Sequence, residues 1–266
     1  MTPSLLRCAP ALLALALLAG PACNSRARKL AEPAPRWSTE EGKQEVRLEI
    51  AEKMLGLGYT EDAQSLLTLA REDGVRGPEI DYLQGRALFQ EGLMTEAEQM
   101  LLSAGTHLKR DPRIHRTLGL LYAATQETER AVTSFQRSLD LDESDAATWN
   151  NLGFLQFSAQ DTQVGISSMR RAVQLDGTNT RYRRNLGFAL FHNGETAEAY
   201  TMFRAAGSAP DAWYNMGLAR ELSGDVTGAI TGYEKAVALA PTHNKAVAAL
   251  SRLETTIDLA PGSETP

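Results

Sequence analysis

The chain is short of cysteine, of aromatic residues and of positive charge, and each shortage narrows what it can be. Lys and Arg number 27 against 33 Asp and Glu, a formal charge of -6. Nucleic-acid binding draws on a clustered surplus of Lys and Arg, so that class of partner is excluded. No stretch is apolar enough for a polytopic membrane protein: the run at 8–22 holds 15 uncharged residues, short of the ~20 that span a bilayer. The four histidines, His107, His115, His192 and His243, show no paired spacing on one helix face of the kind a metal site uses. A Gly-rich phosphate loop, a Gly-x-Ser-x-Gly elbow and a His-Glu-x-x-His pair are also missing. No catalytic, cofactor-binding or metal residue is therefore assigned, and a non-enzymatic role is expected. What is present is 43% apolar and 23% charged residues, the composition of a folded chain.

The first residues read as an export signal. Arg7 precedes the apolar run, and small residues follow it. The stretch Leu18-Ala19-Gly20-Pro21-Ala22-Cys23 resembles a bacterial lipoprotein cleavage site, with Gly20 where the family prefers leucine. That resemblance implies removal of 1–22 and acylation of Cys23, which anchors the chain to a membrane. Cleavage also removes Cys8 and leaves one cysteine and no internal disulfide. An ordinary signal peptide cut nearby is the alternative. Residues 23–38 read as an extended tether, whose Arg26, Arg28 and Lys29 either face anionic headgroups or are simply solvated.

Beyond the tether, one period organises the sequence. Gly85, Gly119, Gly153 and Gly187 are each 34 residues apart, Gly217 follows 30 later, and Ala51 holds the same slot 34 before Gly85. Twelve residues past this reference slot stand Ala63, Ala97, Ala131, Gly165, Ala199 and Ala229; sixteen past it stand Leu67, Leu101, Phe135, Met169, Phe203 and Tyr233. The slots at -4, -1, 0 and +3 trace one face of a helix of period 3.6. A turn follows, marked at +7 by Gly58, Gly92, Gly194 and Gly224, and then a second helix with its apolar face at +12, +16 and +19. Small residues at 0 and +12 let the two helices approach, and the large residue at +16 fills the space beside them. Pro78, Pro112 and Pro210 fit the first helical turn, where no backbone donor is needed.

This pattern resembles the tetratricopeptide repeat (TPR). Trp149 and Trp213 stand at the family's tryptophan position and Tyr122 at its tyrosine, while Gln84, Gln156 and Arg220 depart from it. The resemblance covers 44–243 as six copies, 44–77, 78–111, 112–145, 146–179, a shortened 180–209, and 210–243. It implies an all-α, right-handed superhelix of six helical hairpins, because a single repeat cannot bury enough surface to fold alone. A capping helix is expected at 244–259, with Val247, Leu250, Leu253 and Ile257 as its apolar stripe, and a disordered tail at 260–266. Trp37-Ser38-Thr39-Glu40-Glu41 reads as a staple and capping box that opens the solenoid over 39–259.

The concave wall of such a superhelix is lined by the first helix of each pair, and the slots at -3, -2, +1, +4 and +5 are expected to face it. They bring up Phe154 and Phe188 at +1, Phe89, Phe157 and Phe191 at +4, and Tyr82, Asn150, Arg184 and Tyr214 at -3. Some of these rings alternatively pack between neighbouring helices. At -2, Asn151, Asn185 and Asn215 recur in three successive repeats. An amide donates and accepts, so a ladder of them suits the main chain of a bound polypeptide, as similar asparagines do in peptide-binding TPR domains. A carboxylate clamp of the chaperone-binding type needs Lys or Arg with Asn at +1, and those slots are mostly apolar here. An apolar segment of a protein partner is expected in this groove.

TPR copies behind a lipidated N-terminus resemble the outer-membrane lipoproteins of pilus assembly, namely the type IV pilus pilotins and the TadD proteins of tight-adherence pili. Asn150-Asn151-Leu152-Gly153-Phe154, echoed by Arg184-Asn185-Leu186-Gly187-Phe188, carries the second likeness. The resemblance implies a scaffold on the outer membrane facing the periplasm, with Asn24 favouring that sorting. An accessory to outer-membrane protein insertion or to cell-wall synthesis is the alternative client role.

Overall fold

A computed structural model describes residues 38–258. The signal segment, Cys23, the tether, Trp37 and the tail lie outside the described residues. Among the described residues every regular element is a helix, and there are thirteen. They run as α1 (Glu40–Leu57) and α2 (Thr60–Glu72), α3 (Pro78–Gln90) and α4 (Met94–His107), α5 (Pro112–Ala124) and α6 (Thr128–Leu141), α7 (Ala146–Ser158) and α8 (Thr162–Leu175), α9 (Thr180–His192) and α10 (Thr196–Ala206), α11 (Ala209–Leu222) and α12 (Val226–Leu239), with α13 (Asn244–Asp258) closing the stack. Each odd-numbered helix pairs with the next, and each hairpin packs on its neighbours. The result is an α-solenoid.

Local chemistry sets where the helices begin. Pro78 and Pro112 open α3 and α5. Asp111 and Asp145 cap α5 and α7 by accepting from the backbone N–H groups of Arg113 (2.9 Å) and of Ala147 (3.0 Å). Thr39 caps α1 by accepting from Gly42 N–H at 3.0 Å. The expected capping box is only half made, because Gly42 occupies the third helical position and has no side chain to reach back. A complete box forms instead at Ser208 and Asp211, where α11 begins.

The small-large repeat has a direct steric meaning. A Cβ added at Gly85 would lie 2.9 Å from Leu101, at Gly119 2.5 Å from Phe135, at Gly187 2.5 Å from Phe203 and at Gly217 2.7 Å from Tyr233. In each hairpin the residue at +16 lies in the notch its own glycine leaves, and Leu67, Leu101, Phe135, Met169, Phe203 and Tyr233 are all buried. Full burial of such side chains contributes about 1.5–3 kcal/mol each. The departures from the family pattern are internally bonded. Gln84 accepts from Arg71 (2.9 Å), Gln156 accepts from Ser168 (2.7 Å), and Arg220 donates to the Gly228 carbonyl (3.4 Å).

Two expectations are corrected at the ends of the stack. Ile50 in α1 is 42% exposed although its -1 slot is buried in four later repeats; no described hairpin precedes it. In α13 the buried face runs through Ala246, Ala249 and Leu253, whereas Val247 is 41% exposed. The alanines let α13 settle closely on α12, which rotates Val247 to the outer side; the side chain of Ile257 is outside the described set.

The turn slot at +7 takes a left-handed conformation in all six repeats. Gly58, Gly92, Gly194 and Gly224 sit at φ between 83° and 86°, and Gln126 and Gln160 hold the same slot at 63° and 69°. A side chain there costs about 1–2 kcal/mol relative to glycine. Gln126→Gly and Gln160→Gly, at exposed positions, are expected to stabilise the solenoid by about 1 kcal/mol each. Urea unfolding of the two variants measures this.

Candidate partner-binding groove

The first helices of the fourth, fifth and sixth hairpins, α7, α9 and α11, form one continuous apolar trough. One part, about 400 Å³, is lined by Phe154, Phe157, Phe188, Phe191, Leu218 and Leu222. A second, about 450 Å³, extends it toward α5 through Leu120, Ala123, Leu155 and Asn151. Phe154 and Asn185 border both. Three rings are anchored from beneath. Phe188 meets the buried Phe203 edge-on with centroids 5.0 Å apart, and Phe157 meets His192 edge-on at 5.2 Å; Phe191 rests against the same core cluster. Phe154 differs, being 57% exposed. It is the ring most available to a partner.

The amides are organised less simply than a ladder. Asn185 donates to the Asn150 carbonyl oxygen at 3.0 Å, and Asn150 donates to Asn151 at a long 3.5 Å. Asn150, expected on the open wall, is instead only 3% exposed and acts as the buried link between α7 and α9. Tyr82 is likewise buried rather than lining the wall. Both occupy the -3 slot, which the next hairpin covers in these two copies through Arg113 and Asn185, whereas Arg184 at the same slot is exposed. Among the described residues the carbonyl of Asn185 and the amino group of Asn151 have no side-chain hydrogen bond, which leaves one acceptor and one donor group at the trough.

The expected site divides in two. Asn151, Asn185, Phe154, Phe157, Phe188 and Phe191 gather in the trough. Arg184, Tyr214 and Asn215 do not; they line a separate polar pocket of about 210 Å³ with Thr180, Asp211 and Lys245. That pocket lies where the fifth repeat is short. Helix α10 has 11 residues against 13 or 14 in the other second helices, and only Gly207 and Ser208 separate it from α11. Asp211 is ionised there: the Ser208 hydroxyl, outweighing partial burial, holds its carboxyl below the usual range, with further help from the Ser208 N–H and His243. Sequence reading missed Leu222, His192 and Lys245. The first two stand at +5, a slot it had assigned to this wall. Among the described residues no group of three or more His, Cys, Asp or Glu is placed to hold a metal ion.

Residues 113–145 and 210–243 each match the family described as the tetratricopeptide repeat. These two segments are tetratricopeptide repeats, and the stacked hairpins around them form a TPR-type solenoid. Solved structures share the fold. That of Pseudomonas aeruginosa PilF superposes with a TM-score of 0.61 at 13% identity, covering 80% of this chain and 97% of that one. YrrB, described as "a TPR protein with an unusual peptide-binding site", gives 0.54 at 20% identity over 70% and 97%. MamA from Desulfovibrio magneticus RS-1 gives 0.52 at 20% identity over 63% and 94%. At these identities the likeness is one of fold alone. No curated protein matches the chain in sequence.

Proposed function

We propose that this TPR protein is a non-enzymatic scaffold lipoprotein, acylated at Cys23 and held at a bacterial outer membrane facing the periplasm. Its trough binds an apolar segment of an envelope-assembly protein and assists the building of a pilus or secretin complex. The observation that carries the binding part is the trough itself. Four phenylalanines, of only seven in the chain, meet there beside the side-chain amides of Asn151 and Asn185. TPR folds serve generally in protein–protein interaction, and extended or helical segments docked by apolar anchors are the usual mode. The pilus part is supported by the lipoprotein-like N-terminus and by the fold shared with PilF.

Affinity capture from detergent-solubilised membranes tests it, with Phe154→Ala as the main variant. Phe188 is the poorer choice, because its ring supports Phe203. Loss of an exposed aromatic anchor is expected to weaken capture of an envelope-assembly protein by about tenfold or more, with an unchanged melting curve. Equal recovery would remove the trough from the function. In the same preparations Cys23→Ser is expected to move the chain from the membrane fraction to the soluble one; retention on membranes would count against the acyl anchor.

A further inference from the structure

The polar pocket beside the trough carries its own charge logic. Arg184 from α9 and Lys245 from α13 line it with Tyr214 and Asn215, while Asp211 supplies one opposing carboxylate. Asp211 is already engaged by the Ser208 N–H at 3.0 Å and by His243 at 3.2 Å. Neither Arg184 nor Lys245 forms an ion pair among the described residues.

The placement of these cations works against stability. Helices α1, α3 and α11 carry acidic residues in their first turn, where the helix dipole favours them. Helix α9 carries none, and has Arg181, Arg183 and Arg184 near that end instead. In α5 the similarly placed Arg113 and Arg116 are neutralised by carboxylates; Arg184 is not. An acidic chain of net charge -6 thus keeps an uncompensated basic corner one helical turn from an apolar trough.

We infer that this pocket receives the carboxylate of an Asp or Glu side chain on the partner, next to the apolar stretch seated in the trough. The inference rests on the trough being the binding site. Arg184 precedes Phe188 by four residues on α9, and Asn215 precedes Leu218 by three on α11, so the two subsites lie about 5–6 Å apart along the helices. Residues spaced one turn apart on a helical segment, or two apart on an extended one, bridge that distance. Arg184 and Lys245 against Asp211 leave a single net positive charge, which suits one monoanionic carboxylate. Tyr214, Asn215 and Thr180 add neutral hydrogen-bonding groups around it.

A random peptide library, displayed so that no segment ends in a free carboxylate, is selected against the full chain in detergent. Wild type is expected to enrich apolar segments that carry Asp or Glu at one fixed spacing from the apolar anchor. Arg184→Ala with Lys245→Ala alters two exposed side chains and leaves the core intact. It is expected to keep the apolar preference, lose the acid, and bind a wild-type-selected segment about tenfold more weakly at low salt, the gap closing as salt rises. Apolar segments without a fixed acid, or an acid preference unchanged in the double variant, would overturn this inference and leave the trough standing. Enrichment of no apolar segment, together with indifference to Phe154→Ala, would overturn both.

Discussion

Gly153→Ala is expected to destabilise the solenoid by about 2 kcal/mol, although alanine is the better helix former. In the fourth repeat both close-contact slots are glycine. A Cβ on Gly153 would sit 2.8 Å from the Gly165 carbonyl oxygen and 2.9 Å from the Met169 nitrogen; one on Gly165 would meet the Gly153 carbonyl oxygen at 2.7 Å and the Phe157 nitrogen at 2.8 Å. These are backbone atoms, so no rotamer change relieves the clash and α7 must move from α8. Overpacking of that kind costs about 3 kcal/mol at the upper end of its usual range, and the gain in helix propensity returns about 1 kcal/mol. Urea unfolding measures the difference. Gly165→Ala acts at the same contact, so the double variant is expected to lose less than the sum of the two. Because Phe157 lies at that contact, either change also displaces a wall of the trough, and weaker partner capture is expected with it.

Arg113→Met is expected to cost about 2 kcal/mol near neutral pH, after allowance for a side chain that is 30% exposed. The guanidinium meets Glu52 and Glu79 at 3.0 Å each and Asp111 at 2.6 Å, and lies 4.8 Å from the Tyr82 ring centre. Removing it leaves three carboxylates facing one another, on α1, on α3 and at the cap of α5. The pH dependence separates this from a simple loss of packing. Burial pushes the Asp111 carboxyl upward, but hydrogen bonds from the Arg113 side chain and N–H, with its charge, outweigh that and hold it below the usual range. A carboxyl lowered in the folded state stabilises fully above its unfolded value of about 3.9, and that contribution disappears as pH falls through the folded value. Wild type is therefore expected to lose stability below about pH 4 more steeply than Arg113→Met. Parallel acid-unfolding curves would contradict the account.

The fold was legible because its determinants lie within one hairpin. Gly119 and Phe135, or Gly187 and Phe203, are sixteen residues apart and always on facing turns, so a repeated small-large spacing reports packing directly. The trough was legible for the same reason: Phe154, Phe157, Phe188 and Phe191 occupy repeating slots on successive first helices. What the sequence concealed depends on longer contacts. Asn150 and Asn151 are neighbours on one helix, and the amide of Asn185, 35 residues on, helps fix which of them turns inward. Arg113 reaches Glu52 across 61 residues, a pairing with no counterpart in the other repeats. The four missing residues of the fifth copy were visible, but the convergence of Arg184, Tyr214 and Lys245 follows from how the short Gly207–Ser208 connection seats α11.

Contacts between neighbours alone make a stack of hairpins behave as a coil spring, in which each interface contributes a little bending. Arg113 acts as a brace on the first three coils, since it fastens α1, α3 and the start of α5 together. Arg170, in the half that bears the trough, ties α8 only to Glu195 and Glu198 of the next repeat. A clasp that spans three coils is thus found at the N-terminal end, whereas among the described residues the ion pairs of Arg170, in the half that bears the phenylalanines, join neighbouring repeats alone.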